Sequence, residues 1–310
     1  MFIRHELNDI NSLSKSVIAF GNFDGLHLGH QKIINKVKEL SRINNCKSVV
    51  LTFNPHTKVV LQKNDNYKTL TNINQKANIL KNMGIDVLCE IKFDETYSNL
   101  SYKKFLNILI NKYNPLNIVL GYDNKFRKNR IGEYSLLDKD TLYEKIDFTH
   151  INPYSTKNMI IKTSLIKDML LEGDILNVNK YLGRKYSING VVIKGNAVGK
   201  KIGFPTANID ISKIKQLIPM NGVYSVNLKF DKRQYKSVCN IGYKPTLQNN
   251  KKLSVEVHII DKNINLYDKY VELEFENFIR NEKKFNNVDE LIVQIKNDID
   301  LLKNKGEVKC

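Results

Sequence analysis

A glycine turn followed by the pattern His-x-Gly-His constrains this chain more than any other stretch of its sequence. The apolar run 17–20 (VIAF) predicts a strand buried on both faces of a parallel sheet. The turn 21–25 follows, and the helical spacing of Ile33, Ile34 and Val37 places the start of a helix near His27. Because the first amides of a helix have no internal partner, this order of elements predicts an anion-binding site.

The side chains at this turn are the first candidates for contact with a phosphate. His27 and His30 lie in the first helical turn and project from nearly one side of the helix, so both can donate hydrogen bonds to a phosphate. A surface loop that carries two histidines by chance is the weaker alternative, because it does not explain the order of strand, turn and helix. We expect the histidines to be catalytic, with the phosphate contacting Gly21, Asn22, Phe23, Asp24, Gly25 and Gly29.

The pattern also favours one class of chemistry over others. His-x-Gly-His after a strand resembles the nucleotidyltransferase superfamily, whose members transfer a nucleoside monophosphate from a triphosphate to an acceptor. The His-Glu-x-x-His pattern of metal hydrolases does not occur in the sequence, which makes that class less favoured.

Length and composition indicate two domains, since 310 residues are many for one domain and 42% of them are hydrophobic. We expect no membrane partner and no signal peptide, because no apolar stretch is long enough to span a bilayer.

The four cysteines are far apart, which predicts thiols in a reducing cytoplasm. The charge of +17 leaves nucleic-acid binding as a minority interpretation, because the lysines are scattered along the chain.

Alternating strands and helices over the first half predict an α/β domain with a parallel, doubly wound sheet. Strands are predicted at 48–53, 86–93 and 117–121, with helices at 71–83 and after Ser101. Such sheets bind ligands beyond the carboxyl ends of their strands. His56, which follows the strand at 48–53, can therefore face the same crevice as the two histidines, although a histidine in a turn is structural about as often.

A second phosphate segment is predicted where a helix begins near residue 162. Thr163, Ser164 and Lys167 place hydroxyl groups and a cation at this helix N-terminus, which suits a triphosphate. Thr163 is also a good helix cap and Lys167 an ordinary surface lysine, so the two interpretations are evenly matched.

The second half becomes rich in strands, and a glycine-rich loop stands near its start. Gly195, Gly199 and Gly203 belong to a flexible basic loop that can close over phosphates, although it lacks the Walker A order. Thr206 and Asn208 alternate on an extended segment after Pro205, so their oxygens point to one side and suit Mg²⁺. A simple turn is the alternative.

The remaining strands predict a small closed barrel. They are expected at 223–230, 235–241, 253–260 and 270–275, and a final helix at 288–302 is expected to pack on the barrel. Glu256 can accept a proton from a substrate hydroxyl, although a solvent-facing carboxylate is the more favoured interpretation of that strand alone.

Several short motifs in a fixed order carry a resemblance to a known family. They are Gly21-Asn22-Phe23-Asp24-Gly25-x-His27-x-Gly29-His30, Gly203-Phe204-Pro205-Thr206-Ala207-Asn208, Asn240-Ile241-Gly242-x-x-Pro245-Thr246, Glu256-x-His258 and Arg280-x-Glu282-x-x-Phe285. Over essentially the whole chain they resemble the bifunctional bacterial riboflavin kinase/FMN adenylyltransferase family, also called FAD synthetase.

The resemblance implies two folds and two reactions. Residues 1–183 would form a Rossmann-like nucleotidyltransferase domain with a parallel sheet, which transfers AMP from ATP to FMN and gives FAD and pyrophosphate. Residues 184–310 would form a riboflavin-kinase-like β-barrel with a terminal helix, which phosphorylates riboflavin with ATP to give FMN. ATP, riboflavin and FMN would then be the small-molecule partners of a monomer or weak homo-oligomer.

The resemblance also implies roles for particular residues. Thr206 and Asn208 would hold Mg²⁺ with the phosphates of ATP, and Glu256 would be the base for the ribityl hydroxyl. The other nucleotide-binding residues of the second domain would be Gly195, Gly199, Lys201, Gly203 and Pro205. The flavin-binding residues would be Asn54, His56, Asp123 and Arg280.

The first domain departs from the family pattern at several positions. Asn54 stands where an Asp is usual, Asn124 to Arg127 replace a Phe-Arg-Phe-Gly run, and Lys167 replaces an Arg. Arg and Lys bind a triphosphate differently, because only Arg offers a planar fork of donors. An enzyme that retains only the riboflavin kinase activity therefore stays open as an alternative.

Overall fold

The computed structural model describes residues 2–7, 13–122, 145–156, 159–195, 199, 202–245 and 251–304. By its internal contacts the chain divides into two compact units, residues 1–163 and 164–310. Of the positions discussed above, Asp123, Asn124, Arg127, Lys201 and Thr246 lie outside the described residues.

The first unit is built on a six-stranded sheet in which every neighbouring pair is parallel. Its strand order is β1-β4-β3-β2-β5-β6. The strands are β1 (Ile3–Glu6), β2 (Ser16–Gly21), β3 (Lys47–Asn54), β4 (Val87–Lys92), β5 (Pro115–Gly121) and β6 (Asp147–Ile151). Because β3 and β4 extend the sheet to one side of β2 while β5 and β6 extend it to the other, the strand order reverses between β2 and β5. Open sheets of this kind bind ligands at such a reversal.

Helices follow the strands and cover the sheet. They are α1 (Leu28–Ile43), α2 (Thr57–Leu61), α3 (Ile73–Asn82), α4 (Glu95–Ser98) and α5 (Tyr102–Tyr113). The central strands are mostly buried, and two apolar clusters lie on them. Phe105, Leu106 and Leu109 of α5 join one cluster, while Ile34 and Val37 of α1 join the other. The first unit closes with the short pair β7 (Ser155–Thr156) and β8 (Met159–Ile160). The predicted α/β domain with a parallel sheet is confirmed.

The second unit is a closed antiparallel barrel of six strands, in the order β10-β13-β12-β11-β14-β9. These are β9 (Tyr186–Ile193), β10 (Thr206–Ile209), β11 (Gly222–Phe230), β12 (Arg233–Pro245), β13 (Lys251–Ile259) and β14 (Tyr270–Arg280). Val255, Val257 and Phe275 are buried inside, whereas Glu256 and His258 alternate with them on the outer face. The predicted barrel is confirmed.

Within the described residues, the helices that accompany the barrel are α6 (Thr163–Leu171), α7 (Ile175–Leu182) and α8 (Val288–Asn304). The Asn179 side chain of α7 donates to the Phe275 carbonyl at 2.9 Å and accepts from the Tyr186 amide at 2.7 Å, which fixes α7 against the barrel. The contact-based division falls after Thr163, the first residue of α6, whereas the sequence placed the domain boundary at 183/184.

Candidate active sites

The turn after β2 has an unusual backbone. Phe23, Gly25 and Leu26 have positive φ angles of 44°, 79° and 41°, the left-handed region that costs energy for residues other than glycine. The buried Asp24 carboxylate accepts from the amides of Leu70 and Thr71 at 2.7 and 3.2 Å. Strained turns of this kind are retained where the surrounding contacts determine them, often at ligand sites. Asp24 therefore helps to hold this turn in shape.

The two histidines meet at the start of α1. His27 is the N-cap of the helix, and its Nδ1 accepts from the Gly29 amide at 3.1 Å. The rings of His27 and His30 stack with their centroids 3.8 Å apart. Because Nδ1 of His27 is an acceptor, the proton of the neutral ring lies on Nε2. The two rings are brought together, as the sequence predicted for one side of the helix.

A buried lysine beneath the same turn was missed by the sequence analysis. The Lys76 ammonium donates to the Asn22 carbonyl at 2.6 Å and to Thr52 Oγ1 at 2.8 Å. Burial lowers the pKa of Lys76 to about 8, although Asp24 and Glu90 oppose this shift. Its signal in the sequence is its place in the apolar stripe of α3, together with Ile73, Ala77 and Leu80.

A small pocket of about 40 Å³ opens where the strand order reverses. His27, His30 and Gly29 line it from α1, and Gly121 and Ile151 line it from the ends of β5 and β6. Thr163 also lines this pocket, and its hydroxyl donates to the Asp24 carbonyl at 3.3 Å. The volume is too small for a whole nucleotide. Ser164 is exposed and Lys167 half-buried in α6.

The end of β3 is tied to the turn by a second set of contacts. Asn22 Oδ1 accepts from the Thr57 amide at 3.1 Å, and Asn22 Nδ2 donates to Thr57 Oγ1 at 2.9 Å. Thr57 is the first residue of α2, which His56 caps through its Nδ1. The His56 ring lies 4.7 Å from the Tyr67 ring. His56 is thus held near the turn, while Asn54 is exposed at the end of β3.

In the second unit, the register of the barrel aligns polar side chains across its outer face. Glu256 of β13 is opposite Asn208 of β10 on one side and Asn240 of β12 on the other. Thr206, two residues from Asn208, donates its hydroxyl to Glu256 Oε2 at 3.2 Å. The structure therefore brings Thr206, Asn208 and Glu256 together, although Glu256 lies far from the other two in the sequence.

The glycine-rich loop lies against these side chains wherever it is described. A Cβ at Gly195 would overlap the Asn208 amide, and one at Gly199 would overlap the Phe204 carbonyl and approach Thr206 Oγ1 to 3.3 Å. A side chain at position 199 would therefore collide with the backbone, whereas one at position 195 would require the Asn208 side chain to move. Gly203 and Pro205 complete the turn into β10, where the Pro205 carbonyl lies 2.9 Å from Nδ1 of His258.

A pocket of about 350 Å³ lies over three of these polar side chains, Thr206, Asn240 and Glu256. It is lined by Thr206, Asn240, Glu256 and Arg280 from the barrel and its loops, and by Leu291, Ile295 and Asp298 from α8. Thr206 also lines a second pocket of about 300 Å³, together with Lys262 and Tyr267. Both volumes lie in the range of small-molecule sites. Thr206 therefore stands where two ligands can meet.

Arg280 does not face this pocket as a free cation. Its Nε lies 3.0 Å from Asp298 Oδ1 and its NH2 lies 2.8 Å from Asp298 Oδ2. Asp298 is buried in α8, so this two-point ion pair joins the helix to β14. Asp298 is a second residue that the sequence analysis missed, and its signal was its position three residues after Ile295 in the apolar stripe of α8.

Comparison with known protein families assigns each unit. A model described as FAD synthetase matches residues 9–165, and a model described as riboflavin kinase matches residues 182–305. The bifunctional riboflavin kinase/FMN adenylyltransferase of Buchnera aphidicola subsp. Schizaphis graminum is 39% identical over 304 residues, which cover 96% of each chain. The chain belongs to the bifunctional riboflavin kinase/FMN adenylyltransferase family. The resemblance drawn from the sequence motifs is confirmed.

A second relative and a solved structure also align with nearly the whole chain. The bifunctional riboflavin kinase/FMN adenylyltransferase of Bacillus subtilis is 36% identical over 288 residues, covering 92% of this chain and 90% of its own. A solved structure described as a macrolide-efflux protein from Streptococcus pneumoniae aligns with a TM-score of 0.87 at 28% identity, covering 98% of this chain and 99% of that one. In the part of this chain that the structure describes, no helix combines the length and apolar character needed to span a membrane.

The family assignment decides between the alternatives that the sequence left open. Both transferase domains of the riboflavin kinase/FMN adenylyltransferase family are present and nearly the whole chain aligns with its relatives, so a protein with only the kinase is not favoured. Nucleic-acid binding, the minority interpretation of the basic charge, is not favoured either.

Proposed function

We propose that the barrel unit phosphorylates riboflavin and that the first unit adenylylates the resulting FMN. The observation that carries this proposal is the position of Thr206 and Glu256, which lie in hydrogen-bond contact where two pockets share a wall. Such an arrangement brings a hydroxyl acceptor and a triphosphate donor to one point, and positioning supplies much of the catalysis of phosphoryl transfer.

In the kinase reaction, Glu256 would be the general base. Its carboxylate would accept the proton of the ribityl hydroxyl while that oxygen bonds to the terminal phosphorus of ATP and ADP departs. Riboflavin would occupy the pocket with Glu256 and Asn240, and ATP the pocket with Lys262 and Tyr267. Gly195, Gly199, Gly203 and the undescribed Lys201 would belong to the loop over the ATP phosphates, and Pro205 would set the turn into β10.

The donor set of the barrel suits Mg²⁺. Thr206 offers a hydroxyl, Asn208 an amide oxygen and Glu256 a carboxylate, and these hard oxygens are the type of ligand that Mg²⁺ prefers. In the described residues no cluster of three His, Cys, Asp or Glu side chains could hold a metal by itself. A magnesium ion held by Thr206 and Asn208 would therefore share its remaining positions with ATP, where it would neutralise phosphate charge.

In the adenylyltransferase reaction, His27 and His30 would stabilise the charge that develops on the α-phosphate of ATP. Gly21, Asn22, Phe23, Asp24 and Gly25 would shape the turn below it. Gly29, whose amide donates to His27 Nδ1, would hold that histidine in place in the first helical turn. Thr163 lies beside this turn and would join the phosphate site with Ser164 and Lys167. A phosphate oxygen of FMN would attack the α-phosphorus, and pyrophosphate would leave.

The proposed flavin-binding residues rest on different observations. His56 is held beside the turn and pairs with an aromatic ring, which suits a flavin, whereas Asn54 and Asp123 rest on their places after strands. Arg280 lines the riboflavin pocket, but its guanidinium binds Asp298, so it would act on the flavin mainly by shaping the pocket wall.

The remaining proposals concern the whole protein. The domain boundary near residue 183 agrees with the start of the riboflavin kinase match at 182, so α6 and α7 would connect the two catalytic domains. In the described part of the chain, Cys46, Cys89 and Cys239 form no disulfide, and we propose the reducing cytoplasm as the location of the protein. Cys310 lies outside the described residues. We propose a monomer or a weak homo-oligomer.

A chromatographic time course tests this function. Full-length protein is incubated with riboflavin, excess ATP and Mg²⁺, and riboflavin, FMN and FAD are separated at intervals. We expect FMN first and FAD after it. FMN that accumulates without FAD would overturn the adenylyltransferase assignment and direct attention to Asn54, Arg127 and Lys167, whereas absence of both products would overturn the whole proposal.

A further inference from the structure

Lys76 is a buried cation to which the two proposed reactions give no task. Within the described residues it is the single lysine or arginine among the buried side chains, with 6% of its surface exposed. A buried charge is costly unless it is well paired, so a lysine at this position needs a reason. The two hydrogen bonds of Lys76 supply that reason. One ends at the Asn22 carbonyl in the turn of the proposed phosphate site, and the other ends at the Thr52 hydroxyl, which itself binds that carbonyl.

The contacts of Lys76 hold one carbonyl in a particular direction. The ammonium and the Thr52 hydroxyl both donate to the Asn22 carbonyl, at 2.6 and 3.2 Å. A carbonyl oxygen that turned toward a phosphate would repel it, whereas a carbonyl held on the far side leaves the amides of the turn for the anion. Lys76 also adds a positive charge behind the turn, where little water screens it.

We propose that Lys76 is a positioning residue for adenylyl transfer, which holds the Asn22 carbonyl away from the triphosphate and adds positive charge behind the phosphate-binding turn. This inference rests on the proposed adenylyltransferase function of the first unit. Lys76 touches neither substrate, and acts through the turn at residues 21–25.

The surroundings of Lys76 make its charge sensitive to pH near neutrality. Burial lowers the pKa of the ammonium to about 8 from its ordinary value of 10.5. The charged groups that face it are Asp24 in the turn and Glu90 on β4, the latter paired with Arg4 of β1. From β3 it meets only the neutral Thr52 hydroxyl among the described side chains. The positive charge is therefore present below about pH 8 and is lost above it.

The stability of the fold changes with pH in the opposite direction to the activity. Because the pKa of Lys76 is lower in the folded chain than in the unfolded chain, the unfolded chain binds more protons between about pH 8 and 10.5, and stability contributed by this group rises with pH there. A loss of adenylyl transfer over this interval is thus not explained by unfolding at this site.

The test measures FAD formation from added FMN, ATP and Mg²⁺ as a function of pH. For the wild-type chain we expect kcat/KM to fall several-fold between about pH 7 and about pH 9.5, as expected for loss of a charge with this pKa. Lys76→Met should lose roughly tenfold or more at neutral pH and show little of this fall. Lys76→Arg should keep its activity at high pH, because a guanidinium does not deprotonate there.

Controls separate this role from a general loss of structure. Lys81→Met changes an exposed lysine on the same helix and should behave as wild type. FMN formation from riboflavin, measured in the same samples, shows any effect of ATP, Mg²⁺ or pH that is common to both reactions. The midpoint temperature of heat unfolding shows whether each variant is folded. If Lys76→Arg fails to fold, the comparison of wild type with Lys76→Met still decides.

The outcomes are distinct. A wild-type pH profile retained by Lys76→Met, or activity equal to that of Lys81→Met, overturns the role of Lys76 while the adenylyltransferase function stands. Wild-type protein that makes FMN but never FAD overturns the proposed function and this inference together.

Discussion

At the scale of single residues, Glu256 separates the two activities. Glu256→Gln keeps the size of the side chain and its contact with Thr206 but removes the proton acceptor, so we expect riboflavin phosphorylation to fall by roughly 10²- to 10⁴-fold. FAD formation from added FMN should remain largely intact, because Glu256 lies in the barrel unit. Initial rates with riboflavin and with FMN as the acceptor measure the two effects in one preparation.

Glu272→Gln is the matched control for this variant. Glu272 is also a glutamate of the barrel, on β14, where it accepts from the Ser187 hydroxyl at 2.6 Å and lies outside the described lining of the Glu256 pocket. It should leave both rates near those of wild type. Equal losses of both activities in Glu256→Gln would contradict separate sites and remove Glu256 as the base.

The residue scale also shows what the sequence could and could not predict. The pairing of His27 with His30 follows from helical spacing, and Thr206 with Asn208 from strand alternation, so local periodicity was enough. Lys76 and Asp298 were missed because each is a charged residue inside an apolar stripe. In both cases the partner of the charged group lies on another element of the fold. Periodicity marks such a position, but only the folded chain identifies the Asn22 carbonyl or Arg280 as the partner.

At the scale of elements, the ion pair between Arg280 and Asp298 fixes α8 to the barrel. Asp298 is 2% exposed, and removing one partner of a buried pair leaves an uncompensated charge. We expect Asp298→Asn to destabilise the barrel unit by about 3 kcal/mol, because the Asp298 carboxylate neutralises the Arg280 guanidinium through two contacts. The urea concentration that halves riboflavin kinase activity reports this unit selectively.

A second ion pair of the same helix provides the control. Lys303 of α8 binds Asp261 at 2.8 Å with both side chains largely exposed, and exposed pairs contribute at most about 1 kcal/mol. Asp261→Asn should therefore shift the urea midpoint much less than Asp298→Asn. Equal shifts would show that burial does not decide the strength of the attachment of α8.

The elements themselves were largely predictable, and the reason is the strength of their local signals. The predicted helix near His27 begins at Leu28, the helix after Ser101 is capped by that serine, and the last helix was expected to end near 302 and extends to Asn304. The division at residues 163/164 differs from the boundary at 183/184 indicated by the sequence, because contacts such as that of Asn179 in α7 with Phe275 of the barrel join residues that are distant in the chain.

At the scale of the whole molecule, the two pockets are lined by separate stretches of the chain. The described residues that line the pocket at His27 and His30 lie between residues 27 and 163, whereas those around Glu256 lie between 199 and 298. FMN made in the barrel unit must therefore leave the pocket that formed it before the first unit can use it.

Two singly inactivated chains should accordingly restore FAD synthesis when mixed. Glu256→Gln should make very little FMN from riboflavin. His30→Ala should make FMN but lose most adenylyl transfer, since the electrostatic contribution of one such group is often about 10²-fold or more. FMN released by one chain can be adenylylated by the other, so the mixture should form FAD after a lag that shortens as protein concentration rises. A mixture that forms no FAD, although each variant retains its remaining activity with added substrate, would show that FMN passes to the adenylyltransferase only within the chain that made it.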